Sequence, residues 1–299
     1  MLKRRTLLLS LLSELSGLVT TARLHLLVAL LSVNEKTPSW YFIPTDHGPF
    51  SVDLLHDLRA FEKAKSVQID AQQISVDHTV AEKELSNLDA GDLALLNKTI
   101  KVYASQSDDL LLDQALLAKP FWGIRTARKN AKIQQIREQI SAATRGLYTL
   151  GYEGLSIDSF INLLLTVDVQ EVIDVREFAF SRRSEYAKKN LDEALSLGGI
   201  AYTGMPEVGI PTKARKEILE DKSKEELLSY YASEILPDTG PYADKVASLA
   251  RKHNIALICH EEDPGQCHRS LFAASILKAH PEVGTVHDLR TEEKSGWIW

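Results

Sequence analysis

The second half of this 299-residue chain predicts an α/β fold, a parallel five-stranded sheet with helices on both faces, and the first half predicts a mainly helical region. Two observations carry this. From Leu147 onward, short apolar runs alternate with stretches of helical spacing, the pattern of strands whose two faces are both covered by crossover helices. Before that point, apolar residues recur mostly at helical intervals. The length suits two domains, with the division expected between residues 145 and 146, after a segment (125–145) rich in Arg, Lys and Gln that reads as a connecting helix.

The first half is read in order. Lys3, Arg4 and Arg5 precede apolar residues, as at the basic end of a signal peptide, but Glu14 interrupts the run and Arg23 and His25 interrupt the next. No stretch reaches the roughly 18 apolar residues of a membrane span. Leu8, Leu11, Leu12 and Leu15 fall on one face of a packed helix instead. A second helix is expected from Arg23 to Leu31, a strand from Trp40 to Pro44, and a turn at His47–Ser51. Ser51 is placed to cap a helix from Val52 to Lys65. That helix should bury Leu55, Leu58 and Phe61 and show Asp53, Asp57 and Lys63 to solvent. Val67–Ile69 reads as a returning strand. The order helix, helix, strand, helix, strand is compatible with a winged-helix module. Two more helices follow, Ala90–Val102 and Asp108–Leu117, and Lys119-Pro120 ends the series.

In the second half, strands are expected at Leu147–Leu150, Glu171–Val175, Ile200–Tyr202, Ile255–Ile258 and near Gly284–Asp288. Helices are expected at Ile157–Leu165, Tyr186–Leu197, Lys224–Ile235, Tyr242–His253 and from Arg269. Ligands of parallel sheets sit at the carboxyl ends of the strands. Chemically versatile residues follow each strand: Tyr152; Asp174 and Arg176, then Arg182 and Arg183, which suit either phosphate contact or a solvated face; Tyr202; Cys259 to Arg269; and His287. A parallel sheet would bring them to one edge.

Tyr148-Thr149-Leu150-Gly151-Tyr152-Glu153-Gly154, Asp174-Val175-Arg176 with Ser181-Arg182, Gly209 before Pro211 and Arg215, and Cys259-His260-Glu261 through Cys267-His268-Arg269 resemble the successive motifs of the domain-of-unknown-function 488 family. The resemblance spans about residues 146–290 and implies an α/β domain without a settled activity. Ala179 stands where the family pattern usually has a proline. A more distant likeness, to rhodaneses and cysteine phosphatases, rests on Ile173-Asp174-Val175-Arg176 and the Cys259 loop. Here Cys259 and Arg269 are ten residues apart, and Glu261, Glu262 and Asp263 would repel a dianion, which argues against that catalytic cradle.

Net charge −6 argues against a protein that coats nucleic acid. Residues 1–144 carry 17 basic against 16 acidic side chains, so a local basic patch there can still meet DNA or RNA; residues 145–299 carry 18 against 25. Two cysteines make no disulfide framework, and a reducing cytoplasm is the expected compartment.

The residues expected to bind ligand are Tyr152, Asp174, Arg176, Arg182, Cys259, Glu261 and Arg269, with Cys267 and His268 as the catalytic pair. A thiol at a helix start beside an arginine should have a lowered pKa. The ligand expected at this edge is phosphorylated, nucleotide-like, or a nucleic-acid end or base, as in nucleic-acid surveillance or defence. No cofactor is specified. Cys259, Cys267 and His268 are also zinc-type donors, with His260, Glu261 or His287 as a fourth, but seven intervening residues are not a standard zinc-knuckle spacing, and no metal is assigned. The competing reading is a non-enzymatic protein-interaction module with a structural Cys/His/Arg network.

Overall fold

Lys3, Arg4 and Arg5 open α1 (Lys3–Glu14), whose residues from Thr6 to Leu12 are all buried. The helix is thus enclosed all round rather than along the one face its leucine spacing predicts, as a helix apolar on every side must be. The computed structural model describes residues 3–15, 18–35, 38–77, 87–179, 181, 183–221 and 223–290, and the chain divides into two units, Met1–Arg137 and Glu138–Trp299.

In the first unit, β1 (Val19–Thr20) leads into α2 (Thr21–Ser32), whose first turn is closed by the Thr20 hydroxyl accepting from Arg23 N–H at 3.1 Å. The strand expected from Trp40 to Pro44 lies later, as a hairpin of β2 (Ile43–Thr45) and β3 (Gly48–Phe50), and Trp40 is turned inward. Ser51 caps α3 (Val52–Lys63), its hydroxyl accepting from Leu54 N–H at 3.2 Å. Strands β4 (Val67–Asp70) and β5 (Gln73–Val76) follow, and the three-stranded antiparallel sheet has the order β1-β5-β4. Then come α4 (Ala90–Tyr103) and α5 (Asp108–Ala118), and α6 (Ala131–Ser141) carries the chain from one unit into the next. The region is mainly helical, as expected.

Asp57 departs from the expectation. Helical periodicity assigns it to solvent, yet it is fully buried. Its carboxylate accepts from Arg5 Nε at 2.7 Å, Arg4 at 3.3 Å and Trp40 Nε1 at 3.1 Å. Two cations and an indole N–H supply what water would have given, so the charge can be buried. Leu55, expected inside, is only half-buried. Arg4 and Arg5 are consequently engaged within the unit.

His25 on α2 is buried too. Its Nδ1 accepts Ser51 N–H at 3.0 Å, its ring stacks on Phe50 at 4.1 Å, and burial drives its pKa down to about 3. The unfolded imidazole takes up a proton near pH 6.5. The stability His25 contributes is therefore complete above that pH and is lost as the pH falls toward 3, by about 2 kcal/mol at pH 5. Urea unfolding should show a midpoint that falls between pH 7 and pH 5 more steeply in the natural chain than in His25→Gln. Equal slopes would mean that other groups govern the acid limb.

The second unit is the predicted α/β layer. Its strands are β6 (Leu147–Gly151), β7 (Val169–Asp174), β8 (Ala201–Gly204), β9 (Asn254–Cys259) and β10 (Val286–Asp288). They form one parallel sheet in the order β10-β6-β9-β7-β8. The helices around it are α7 (Ile157–Leu165), α8 (Lys188–Leu197), α9 (Thr212–Asp221), α10 (Lys224–Tyr230), α11 (Gly240–Ala250) and α12 (His268–Ala279). Central β9 is buried along its whole length, whereas β8, at one edge, is partly exposed. The core on one side gathers Ile173, Val175, Ile255, Leu257, Phe272 and Ile276, together with Cys259 and Cys267. No helix among the described residues is long and apolar enough to cross a membrane.

Candidate functional site

Register aligns the carboxyl ends of the three central strands. Gly151 pairs with Cys259 and Asp174 with Ile258, so the residues after β6, β7 and β9 emerge side by side. The β6–β9 ladder continues beyond the strands, with Tyr152 N–H on Cys259 O at 3.1 Å and Glu153 N–H on His260 O at 2.8 Å. Two glycines permit the closeness. A Cβ at Gly151 would lie 1.7 Å from Glu261 O, and one at Gly209 would lie 2.1 Å from Glu177 N. Gly151 and Gly209 are thus places where one stretch of backbone lies against another.

A cleft of about 600 Å³ opens at this edge, lined by Tyr152, Arg176, Arg183, Arg215, Cys259 and His260, with Glu153, Glu177, Phe178 and Thr212 among the rest. Arg176 is buried, donating to both Asp174 oxygens at 2.8 and 2.5 Å, to Tyr152 Oη at 2.8 Å and to Tyr186 O at 3.0 Å. Burial works against its charge, but the Asp174 carboxylate outweighs that and its pKa is raised. Asp174 also accepts from Tyr202 Oη at 2.9 Å, and burial together with that carboxylate raises the Tyr202 phenol. The Tyr152 ring stacks on Tyr186 at 4.1 Å.

The other cations are nearer the solvent. Arg183 lies over the Tyr186 ring and pairs with Glu185 at 2.7 Å. The Arg215 guanidinium is 3.8 Å from the Glu261 carboxylate. The two carboxylates of the lining already accept from protein donors: Glu153 from Glu262 N–H at 3.1 Å, and Glu177 from Thr212 N–H and Oγ1 at 2.7 and 2.6 Å. Phe178 is 68% exposed at the same cleft.

Behind Cys259 lies a second cluster. The donor atoms of Cys259, Cys267 and His268 are all within 4.8 Å of one another, and all three residues are buried. Glu261 Oε2 accepts from the Cys259 thiol at 3.3 Å. Burial opposes the Glu261 charge, but its own backbone N–H, the Cys267 thiol and Arg215 prevail and hold its carboxyl at about 2.

Residues 156–276 match the family model described as Domain of unknown function DUF488. The second unit carries a DUF488 domain. No curated protein and no solved structure matches the chain. The match begins after the Tyr148–Gly154 motif and ends within α12, inside the wider span of the sequence resemblance.

Within the DUF488 domain the expected residues divide into two groups. Tyr152, Arg176 and Cys259 line the cleft, and Asp174 lies beneath Arg176 as its counter-charge. Cys267, His268, Glu261 and Arg269 are not in its lining. Arg182 lies outside the described residues. Cys267 does stand at the start of a helix, as its N-cap, but its thiol is pushed well up by burial first and by the neighbouring Cys259 second, so the lowered pKa expected from helix and arginine is not realised. Arg269 is fully buried and donates to Glu261 O at 2.5 Å, Glu262 O at 3.1 Å and Asp288 Oδ2 at 3.1 Å. It closes the loop after β9 rather than facing a ligand. Arg183, read with Arg182 as suited to phosphate contact or to a solvated face, lines the cleft, whereas sequence reasoning missed Arg215, His260 and Phe178 as lining residues. Arg215 follows Gly209 and Pro211 in the motif, so it carried a signal.

Proposed function

We propose that the cleft of the DUF488 domain binds a small phosphorylated ligand of the nucleotide class. The observation that carries this reading is the set of groups around one cavity of about 600 Å³: Arg215, Arg183 and His260 for a phosphate, and exposed Phe178 for a base. Glu153 and Glu177 keep their charge but are tied to protein donors, Arg176 is balanced by Asp174 and Arg183 is shared with Glu185, so Arg215, whose pairing with Glu261 is long at 3.8 Å, is the cation best placed to turn to a phosphate. Bidentate guanidinium contacts suit phosphate oxygens.

The first unit is proposed to be a winged helix that meets DNA or RNA, a reading supported by the β1-β5-β4 order around α2 and α3. Exposed Arg59, Lys63 and Lys65, in the last turns of α3 and just past it, would be its phosphate contacts, since Arg4 and Arg5 at the start of α1 are paired with Asp57. A reducing compartment suits the two free thiols.

Calorimetric titration tests the reading with a nucleoside 5′-monophosphate, the matching nucleoside, and a short 5′-phosphorylated oligonucleotide at rising salt. The monophosphate should bind and the nucleoside should bind more weakly. Arg215→Ala should lose about tenfold in affinity, equivalent to about 1.4 kcal/mol. The oligonucleotide should show a steeper salt dependence than the mononucleotide. Binding of the nucleoside as tight as the monophosphate, or an unchanged Arg215→Ala variant, would overturn the phosphate assignment. Absence of binding by all three would leave the protein-interaction reading.

A further inference from the structure

Cys259 ends β9 and Cys267 caps α12, and the loop between them folds back so that the two sulfurs and His268 share one buried spot. Cys259 Sγ and His268 Nδ1 are 3.9 Å apart. The other ring nitrogen, Nε2, is 3.0 Å from Val175 O. A carbonyl can only accept, so the proton belongs on Nε2, and Nδ1 turns its lone pair toward the sulfurs. This is the tautomer and the outer hydrogen bond that a metal-bound imidazole needs. Tyr231 adds an independent sign. It sits at the start of a π-helical turn (Tyr231–Ile235), its ring is 5.2 Å from that of His268, and its fully buried hydroxyl has no hydrogen-bond partner among the described residues.

We propose that Cys259, Cys267 and His268 Nδ1 bind a zinc ion, with the fourth position beside the Glu261 carboxylate. Tetrahedral zinc, with Zn–S of ~2.3 Å and Zn–N of ~2.0 Å, sets its donors about 3.5–3.8 Å apart, and the observed separations need only a small contraction. Two sulfurs and an imidazole select zinc over calcium or magnesium, which prefer oxygen donors. Binding forms two Zn–S bonds and one Zn–N bond, two thiol protons pass to solvent, and no electron is transferred. The two thiolates balance the ion's charge. Glu261 is 3.3 Å from Cys259 Sγ and 3.8 Å from Arg215, and Cys259 and Arg215 both line the cleft. Cys259 borders both the cleft and this site, and the metal ligands are the same whatever the cleft binds.

Cobalt(II) is the probe. The full chain, purified reduced and stripped by a chelator, is titrated with cobalt and followed by absorption. A saturating transition at about one ion per chain is expected, with a thiolate-to-cobalt charge-transfer band and the intense visible bands of tetrahedral geometry, both displaced by zinc. Cys259→Ser and Cys267→Ser should each lose about half of the charge-transfer intensity, one thiolate of two. His268→Gln should keep that band and weaken binding at least about tenfold, losing one ligand. If a serine variant fails to fold, the natural chain still decides the matter through alkylation and mass mapping, in which zinc should protect both cysteines together. Cobalt binding without charge transfer, no binding, or alkylation indifferent to zinc would overturn the proposal. So would ready formation of a Cys259–Cys267 disulfide in the presence of zinc.

Discussion

Arg269→Ala should lower the stability of the second unit by about 3–5 kcal/mol, the range for removing one member of a buried ion pair. The guanidinium is fully buried and ties α12 to two separate pieces of chain: the carbonyls of Glu261 and Glu262 after β9, and the Asp288 carboxylate at the end of β10. Asp288 would keep the Thr149 hydroxyl at 2.5 Å but lose its cation, and the carbonyls would lose charged donors inside a cavity that Ala cannot fill. Arg269→Lys, with a single ammonium in place of a planar fork, should recover only part of the loss. Hydrogen exchange read by mass spectrometry would show β6, β9 and β10 losing protection while α2 keeps its own. Undiminished protection in those strands would show that the loop after β9 is held by other contacts.

Gly151→Ala should cost about 3 kcal/mol, the upper end for forcing an extra carbon into a packed site. Its Cβ would stand 1.7 Å from Glu261 O and 2.6 Å from Glu261 C, and backbone cannot turn aside as a side-chain end can. The strain would fall on the segment that carries Cys259 and Glu261, so the urea midpoint should drop and both thiols should alkylate faster. A midpoint and thiol reactivity equal to those of the natural chain would mean that the loop shifts at no cost.

The β-strands of the second unit were legible because buried parallel strands leave short apolar runs, and the Ile255–Ile258 run is the clearest example. The convergence of Tyr152, Arg176 and Cys259 followed from the alternation alone. What comes from elsewhere in the chain was not legible. Asp57 sits on the polar side of α3 by periodicity, and only the arrival of Arg4, Arg5 and Trp40 makes its burial tolerable. Cys267 was read correctly as a helix start, but the sequence held no measure of how deep that start lies, and desolvation outweighed the helix dipole. The nearness of Cys259 to Cys267 depends on how a seven-residue loop folds back, which spacing rules drawn from zinc knuckles do not describe.

Arg176 has a consequence for how this cleft can change. Its guanidinium gives four of its five N–H groups to Asp174, Tyr152 and Tyr186, so an arriving anion meets a floor that already has its counter-charge and little left to offer. Discrimination then belongs to a separate tier of side chains, Phe178, Arg183, Arg215 and His260, carried on the segments above the strand ends. A lineage can exchange those for other residues and acquire a new ligand while the anchored base beneath stays as it is, because exposed positions tolerate substitution at little cost in stability. Changing the floor would require Asp174 and Arg176 to be replaced together, since either alone would strand a buried charge.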